Sequence, residues 1–334
     1  MAIAAKVSLA TVDRVLNARP GVHQKTITKV NDAITRIGFT RNLSAANLAR
    51  QKQYHFVFIL PDREGQFISL IKEAVSEANH SQARERASVS TLLVPANDPH
   101  EIVRALRGLD IETVDGVAIM VSETPQVRDA ISRLKSLGVS VVALVSNQPN
   151  AECDRFVGID NFAAGRTAAT LIGRFSCNKK GSILVAAESM QSRDSLERRL
   201  GFDSVIAQDF PFLTVLPSME THNDPNRADQ IITTALSNDP SILAVYMLSA
   251  EVQDVVKAIS RSGRMPKLVI LAHELTPFTR SALTARKIDA VITQDVGHLV
   301  RSSLRILRAK SDGLEAVASQ ERIRIEVILR ENML

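Results

Sequence analysis

Three polar side chains come directly after, or within two residues of, apolar runs typical of buried strands. They are Asp160, Glu274 and Gln294. In open parallel sheets, ligands bind in the crevice outside the carboxyl ends of the strands. Carboxylate and amide groups at that edge can exchange hydrogen bonds with the hydroxyl groups of a small polar molecule. The sequence therefore predicts a ligand-binding site formed by loops that follow strands.

Sequence patterns for catalysis are missing from the chain. It contains no nucleophile-elbow, dinucleotide-binding, Walker or zinc-protease motif. Its two cysteines, Cys153 and Cys177, do not form a metal-ligand pattern or a disulfide framework, and its seven histidines are scattered. We therefore expect no enzyme, no metal site and no cofactor.

A different chemistry is expected near the start of the chain. Ser8 can cap a helix in which Val12, Val15 and Leu16 share one face, and a second helical run extends from residue 24 to 38. Residues 1–53 hold nine basic and two acidic residues, a net charge of +7, whereas the remainder carries −2. Short helices with a positive excess predict a helix-turn-helix unit that binds nucleic acid, and a solvated basic face is the alternative.

From residue 55 onward, predicted strands and helices alternate, giving about eleven strands. Near-continuous apolar strands separated by helices indicate parallel sheets covered on both faces. Eleven strands exceed one ordinary sheet, and a polar break near residue 150 divides them. The predicted fold is a small all-α head followed by an α/β body of two doubly wound lobes.

The residues from Ala2 to Val22 resemble the DNA-binding domain of the LacI-type transcriptional regulators. The family pattern A-x-x-A-G-V-S-x-x-T-V-S-R-V-L-N, followed by P-G-V, is matched at thirteen positions of this segment. Lys6 replaces the turn glycine and Asp13 replaces the usual serine. Against this pattern the first helix is expected to be truncated.

The resemblance implies contacts with double-stranded operator DNA. The expected contact residues are Ser8, Leu9, Ala10, Thr11, Arg14 and Asn17, and Leu48 matches the leucine that a hinge helix inserts into the minor groove. Helix capping or plain surface polarity is the alternative for Ser8 and Asn17. A disordered linker is the alternative for the hinge of the free protein.

The body resembles the type I periplasmic-binding-protein fold, in which the chain passes between the lobes three times. The implied divisions are a head of residues 1–40, a hinge linker of residues 41–53 and a body of residues 54–334, with lobe 1 at about 54–155 and 294–320 and lobe 2 at about 156–293 and 321–334.

By the same resemblance, seven residues are expected to contact the ligand: Phe67, Asp160, Ser192, Arg198, Tyr246, Glu274 and Gln294. Packing at a helix start is the alternative for Phe67, and a surface salt bridge with Asp194 or Glu197 is the alternative for Arg198. Asn161 is expected to cap the helix that follows it. The segment from Tyr246 to Glu251 lacks the asparagine and glycines of sugar-binding relatives.

Together these features predict a cytoplasmic, homodimeric, ligand-responsive regulator, acting as a repressor of genes for sugar or related small-molecule metabolism. Its effector is expected to be a sugar or sugar derivative, and no membrane association is expected. The alternative is a cytoplasmic small-molecule binding protein of the same fold that has lost DNA binding.

Overall fold

The computed structural model describes residues 1–16, 19–38, 53–82, 86–96 and 98–333. The chain divides into two compact units, Met1–Lys52 and Gln53–Leu334. The first unit, the head, contains α1 (Ala2–Ala5), α2 (Leu9–Leu16) and α3 (Gln24–Ile37). Its small core is formed by Ala5, Val30 and Ala33.

Lobe 1 of the body contains a five-stranded sheet. Its elements in chain order are β1 (Tyr54–Asp62), α4 (Gln66–Gln82), β2 (Ala87–Pro95), α5 (Pro99–Arg107), β3 (Gly116–Ile119), α6 (Pro125–Ser136), β4 (Ser140–Leu144) and β5 (Arg155–Val157). All strand pairs are parallel, in the order β2-β1-β3-β4-β5. Residues 56–60 of β1 are all buried because apolar clusters cover both faces of the sheet.

Lobe 2 contains a six-stranded sheet. Its elements are α7 (Asn161–Phe175), β6 (Gly181–Ala187), α8 (Arg193–Asp209), β7 (Leu213–Glu220), α9 (Pro225–Asn238), β8 (Ile242–Met247), α10 (Gln253–Arg261), β9 (Val269–His273), α11 (Pro277–Thr284), β10 (Ala290–Thr293) and the final strand β11 (Glu326–Ile328). The strand order is β11-β10-β9-β8-β6-β7. The long helix α12 (Val296–Ser311) precedes β11 but packs on lobe 1, against α4, β3 and β4.

The described residues thus contain an all-α head and eleven strands in two α/β lobes, which confirms the predicted fold class. Two details differ from the sequence analysis. β5 pairs with β4, so residues 156 and 157 belong to the first sheet and the first crossing follows them. β11 pairs antiparallel with β10, because the chain returns from lobe 1 after α12 and enters the second sheet at its edge.

Four helices of the body begin with the same local signal, a capping side chain followed by proline. The cap accepts a backbone N–H of the first turn, and proline suits this turn because its missing N–H would have no helical partner. The pairs are Asp98–Pro99, Thr124–Pro125, Asp224–Pro225 and Thr276–Pro277. Each of these capped helices follows a strand, so the cap holds in place the loop that leaves the carboxyl end of that strand. None of the helices in the described ranges could cross a membrane.

Candidate functional site

Helix α2 of the head has two faces of opposite character. Val12 is 3% exposed and faces inward, whereas Leu9 is 75% exposed and Ala10 and Arg14 are also exposed. Side chains in the first turns of a recognition helix are those that reach base edges in the major groove. The structure therefore places these three predicted DNA contacts on the surface of the head.

Ser8 lies immediately before α2 and organises its start. Its Oγ accepts the backbone N–H of Thr11 at 3.1 Å and lies 2.8 Å from the hydroxyl oxygen of Thr11. This is the capping geometry that the sequence left open as an alternative. The Ser8 side chain remains exposed, so capping does not remove it from the surface that the DNA would contact.

One departure from the family pattern, Lys6, lies in the turn before α2, and the other, Asp13, lies within α2. Lys6 adopts a left-handed backbone conformation, with φ of 52°, where glycine is usual. Arg36 donates from Nη2 to the carbonyl of Ala4 at 2.6 Å and ties α3 to α1. The exposed carboxylate of Asp13 lies 3.4 Å from the guanidinium of Arg19, which offsets part of its negative charge.

Two predicted DNA contacts, Asn17 and Leu48, lie outside the described residues. Most of the predicted hinge linker, residues 41–52, lies outside them too.

In the body, Arg198 on α8 is 2% exposed, and all its donor atoms point into the protein. Nε donates to Asn161 Oδ1 at 2.9 Å, Nη1 to the carbonyl of Leu248 at 2.7 Å, and Nη2 to Glu274 Oε1 at 3.2 Å. Because Glu274 is also 2% exposed, the two form a buried ion pair. A guanidinium suits this position because its planar fork meets several acceptors at once.

The surface salt bridge suggested as an alternative for Arg198 is wrong. Glu197 instead accepts from Nε of Arg193 at 2.8 Å. Arg198 instead faces the ends of the lobe 2 strands, where its partners Leu248 and Glu274 lie.

Glu274 connects Arg198 to the second lobe crossing. Gln294 donates from Nε2 to Glu274 Oε1 at 3.0 Å, and Thr293 Oγ1 lies 3.4 Å from Glu274 Oε2. The other end of the Gln294 amide, Oε1, accepts the backbone N–H of Ile159 at 3.3 Å. Three predicted ligand residues therefore form one buried network, and this network joins the first and second crossings.

The backbone at Glu274 is unusual, with φ of 65° in the left-handed region. Its N–H donates to Ile292 at 2.8 Å, and its carbonyl accepts from Thr279 Oγ1 at 2.8 Å. Burial raises the pKa of Glu274, while the charge of Arg198 and the hydrogen bond from Gln294 act in the opposite direction. The carboxyl group is thus held in place by both its backbone and its partners.

Two glycines that the sequence analysis did not single out bring Arg198 to Asn161. A Cβ on Gly165 of α7 would lie 1.9 Å from the carbonyl oxygen of Arg198, and one on Gly201 of α8 would lie 2.0 Å from that of Phe162. The backbones of α7 and α8 therefore touch. A signal was present in the sequence, because each glycine lies within a helical stretch, where glycine is unfavourable and often marks close packing.

The structure assigns the cap of α7 to Asp160 rather than to Asn161. Asp160 caps α7 by accepting the N–H of Ala163 at 2.9 Å, whereas Asn161 is 2% exposed and contacts Arg198. The prediction that Asn161 caps the helix is therefore wrong, since the residue one position earlier already accepts the first-turn N–H. Asp160 is exposed near the first crossing.

Tyr246 lies inside lobe 2, away from the surface. Its ring stacks on Phe202 with centroids 4.5 Å apart, and its hydroxyl lies 2.8 Å from His273 Nε2. Burial raises the pKa of Tyr246, and burial together with the charge of Arg198 lowers the pKa of His273. Both side chains are therefore neutral at physiological pH.

Phe67 and Ser192 are placed less centrally. Phe67 is 4% exposed and packs in the core of lobe 1, but it also lines a cavity of about 260 Å³ together with Gln294. Ser192 precedes α8, and its Oγ bonds to the carbonyl of Ser189 at 3.2 Å and to Ser195 Oγ at 2.8 Å. Phe67 is therefore both a packing residue of lobe 1 and part of the cavity wall.

The buried network can recognise a polar molecule through hydrogen bonds. Among the described residues, three buried side-chain atoms have no hydrogen-bond partner: Gln148 Oε1, Asn161 Nδ2 and His273 Nδ1. Within the same residues, no group of three or more histidine, cysteine or acidic side chains could hold a metal ion. The arrangement offers donors and acceptors of a binding site.

Each of the two units of the chain matches the model of a known protein family. Residues 1–42 match the model described as "Bacterial regulatory proteins, lacI family", and residues 56–315 match the model described as "Periplasmic binding protein domain". The second match covers most of the chain.

Curated relatives agree with this assignment. The chain is 29% identical to the "Sucrose operon repressor" of Streptococcus mutans over 213 residues, which cover 61% of this chain and 60% of that protein. It is 25% identical to the "HTH-type transcriptional regulator RegA" of Clostridium saccharobutylicum over 190 residues, which cover 47% and 57%. The chain thus spans about three fifths of the length of these relatives.

Solved structures share the fold. The glucose-galactose binding protein GanP of Geobacillus stearothermophilus has a TM-score of 0.74 at 18% identity, covering 84% of this chain and 99% of that chain. A solute-binding protein of Burkholderia graminis in complex with D-arabinose also has a TM-score of 0.74, at 19% identity, covering 84% and 96%. By the family match over residues 56–315, the chain belongs to the periplasmic binding protein domain family, and its residues 1–42 carry the match to the lacI family of bacterial regulatory proteins.

Proposed function

We propose that this protein is a ligand-responsive, DNA-binding transcriptional regulator that represses genes of sugar or related small-molecule metabolism. One observation carries the proposal: a single chain joins a lacI-family head to a binding-protein body that holds a buried polar network. The similarity to a sucrose operon repressor supports the same function. A regulator, rather than an enzyme, is the class that fits both units.

The head would read operator DNA through α2. Leu9 and Ala10 offer only apolar surface, which suits contact with a thymine methyl group, whereas Arg14 can donate two hydrogen bonds to guanine. Ser8, Thr11 and Asn17 would position the head on phosphates, and Leu48 would enter the minor groove. We further propose a homodimer that binds a palindromic site in the cytoplasm.

The body would bind the effector between the lobes, above the network of Arg198, Glu274 and Gln294. The unpartnered Nδ2 of Asn161 is a donor for a ligand hydroxyl group, and Asp160, Ser192, Phe67 and Tyr246 would border or support the site. Several proteins of this fold are named for sugars, which favours a sugar or sugar derivative. The effector would act only through its different affinities for two lobe arrangements.

A DNA-binding assay tests this function. Fluorescence anisotropy with DNA from upstream of the protein's own gene cluster should show salt-dependent binding by the full chain. Arg14→Ala should weaken binding, and Arg174→Ala, which removes a basic side chain in the body, serves as the control. Sucrose, D-glucose, D-galactose, D-arabinose and D-allose would then be added in turn.

The expected result is a sequence-specific complex whose affinity changes with one of the sugars. A sugar that raises the melting temperature of a chain that binds no DNA would indicate instead a small-molecule binding protein without a regulatory role. The proposed switch would be contradicted if the affinity for DNA were unchanged by every sugar and by the Arg198→Ala substitution.

A further inference from the structure

The cavity of about 260 Å³ beside Gln294 has an apolar wall built from both lobes. Phe67 and Leu70 lie on α4 of lobe 1, Leu275 follows β9 of lobe 2, and Val296 begins α12 directly after the second crossing. The volume is near the lower end of the range of about 300–1,000 Å³ that small-molecule pockets occupy. A group of several carbon atoms that filled this cavity would contact both lobes at once.

Two buried polar side chains also line the cavity, but both already have protein partners. Gln294 donates from Nε2 to Glu274 and accepts the N–H of Ile159 at Oε1. Thr293 Oγ1 accepts the N–H of Leu275 at 3.0 Å and lies 3.4 Å from Glu274 Oε2. Burial of a ligand hydroxyl group costs free energy unless the group finds a partner. The cavity therefore favours an apolar group over a hydroxyl group.

Two exposed carboxylates complete the lining. Glu326 lies on β11, and Asp295 accepts the N–H of His298 at 2.8 Å and lies 3.7 Å from the guanidinium of Arg301. Among the described residues that line the cavity, none is Lys or Arg. Because like charges repel, this lining disfavours a phosphate or carboxylate group on the ligand.

The cavity adjoins the buried network, since Gln294 belongs to both. Through Glu274 and Arg198 the network continues to Asn161, whose Nδ2 is a buried donor without a partner. A sugar ring placed against the network could use this donor for a hydroxyl group, while a substituent of the ring extends into the cavity. The two neighbouring environments thus suit two different parts of one molecule.

We propose that this cavity is a subsite for an apolar substituent, so that the effector is a neutral sugar carrying an apolar group, such as the aglycone of a glycoside. Sugar phosphates and sugar acids are excluded from that class. The inference rests on the proposed function, because it takes the effector to be a sugar derivative that binds the body.

Isothermal titration calorimetry with the full chain tests the subsite. D-glucose and D-galactose are compared with their phenyl β-glycosides, so that each pair differs only in the apolar group. At least one phenyl glycoside should bind at least about tenfold more tightly than its parent sugar, because its ring leaves water for an apolar wall. D-glucose 6-phosphate should bind more weakly than D-glucose.

Two variants locate the effect in the cavity. Leu70→Gln keeps the size of a half-buried side chain but adds an amide to the apolar wall, and it should reduce the preference to about threefold or less. Val296→Phe adds no polar group but takes up part of the space, and the same reduction is expected. Leu93→Gln is the control, because Leu93 is 38% exposed on the edge strand β2 and does not line the cavity, so the preference should not change.

The subsite is overturned if the sugars and their phenyl glycosides bind equally, if none of them binds, or if the preference survives in both cavity variants. Tighter binding of D-glucose 6-phosphate than of D-glucose would also contradict it. A chain that binds operator DNA without this preference contradicts the subsite alone, whereas a chain that shows the preference but binds no DNA contradicts the proposed function alone.

Discussion

The head and the body hold their functional side chains in opposite ways. Leu9 on α2 is 75% exposed, whereas Arg198 and Glu274 are each 2% exposed and satisfied by protein partners. In the proposed function, the head would meet DNA from outside, so exposed contacts that contribute little to folding are sufficient. The body would have to enclose a small ligand, so the groups proposed to bind it are part of the core and cannot be changed without loss of stability.

The largest effect is expected from breaking the buried ion pair of the body. Glu274→Ala leaves the Arg198 guanidinium buried without its counter-charge, and this should lower the free energy of unfolding by about 3–5 kcal/mol. Urea unfolding followed by circular dichroism measures the change. Glu274→Gln keeps an acceptor near Arg198 and should cost less, and an unchanged urea midpoint for Glu274→Ala would show that water reaches the pair.

A smaller effect is expected where α7 and α8 touch. Gly201→Ala places a methyl group against the carbonyl of Phe162, and the forced separation of the helices should cost about 1–3 kcal/mol. The same unfolding experiment measures it. Ser204→Ala, on the same helix, removes only a hydroxyl group that bonds to the carbonyl of Gly201 and is the matched control. Equal stability of the two variants would mean that the helices can move apart without cost.

The smallest effect on stability is expected in the head. Leu9→Ala should change the free energy of unfolding by no more than about 0.5 kcal/mol, because the side chain contributes little to the core. Its affinity for operator DNA should nevertheless fall by about tenfold, measured by fluorescence anisotropy. Ile3→Ala, which truncates an exposed side chain on α1, should leave both quantities unchanged. A large loss of stability for Leu9→Ala would remove the contrast between head and body.

The sequence predicted the two-lobed fold because alternating apolar strands and capped helices are local signals. It also placed Glu274 and Gln294 at strand ends, and the resemblance added Arg198 as a third ligand residue. The structure brings these three together. The sequence could not assign their partners, since the choice of Asn161 over Asp194 or Glu197 depends on how closely α7 and α8 approach. The resemblance predicted Tyr246 as a ligand contact. The sequence could not show that its ring stacks on Phe202, because that direction depends on how α8 packs against β8.

The direct contact between the backbones of α7 and α8 has a mechanical consequence. Close-packed interiors are hard to compress and transmit strain, and at Gly165 and Gly201 no side chain separates the two backbones and could adjust by a change of rotamer. We therefore expect the two helices to move as one rigid body. Because α7 begins directly after the first lobe crossing, any rotation there is transmitted to Arg198 without loss.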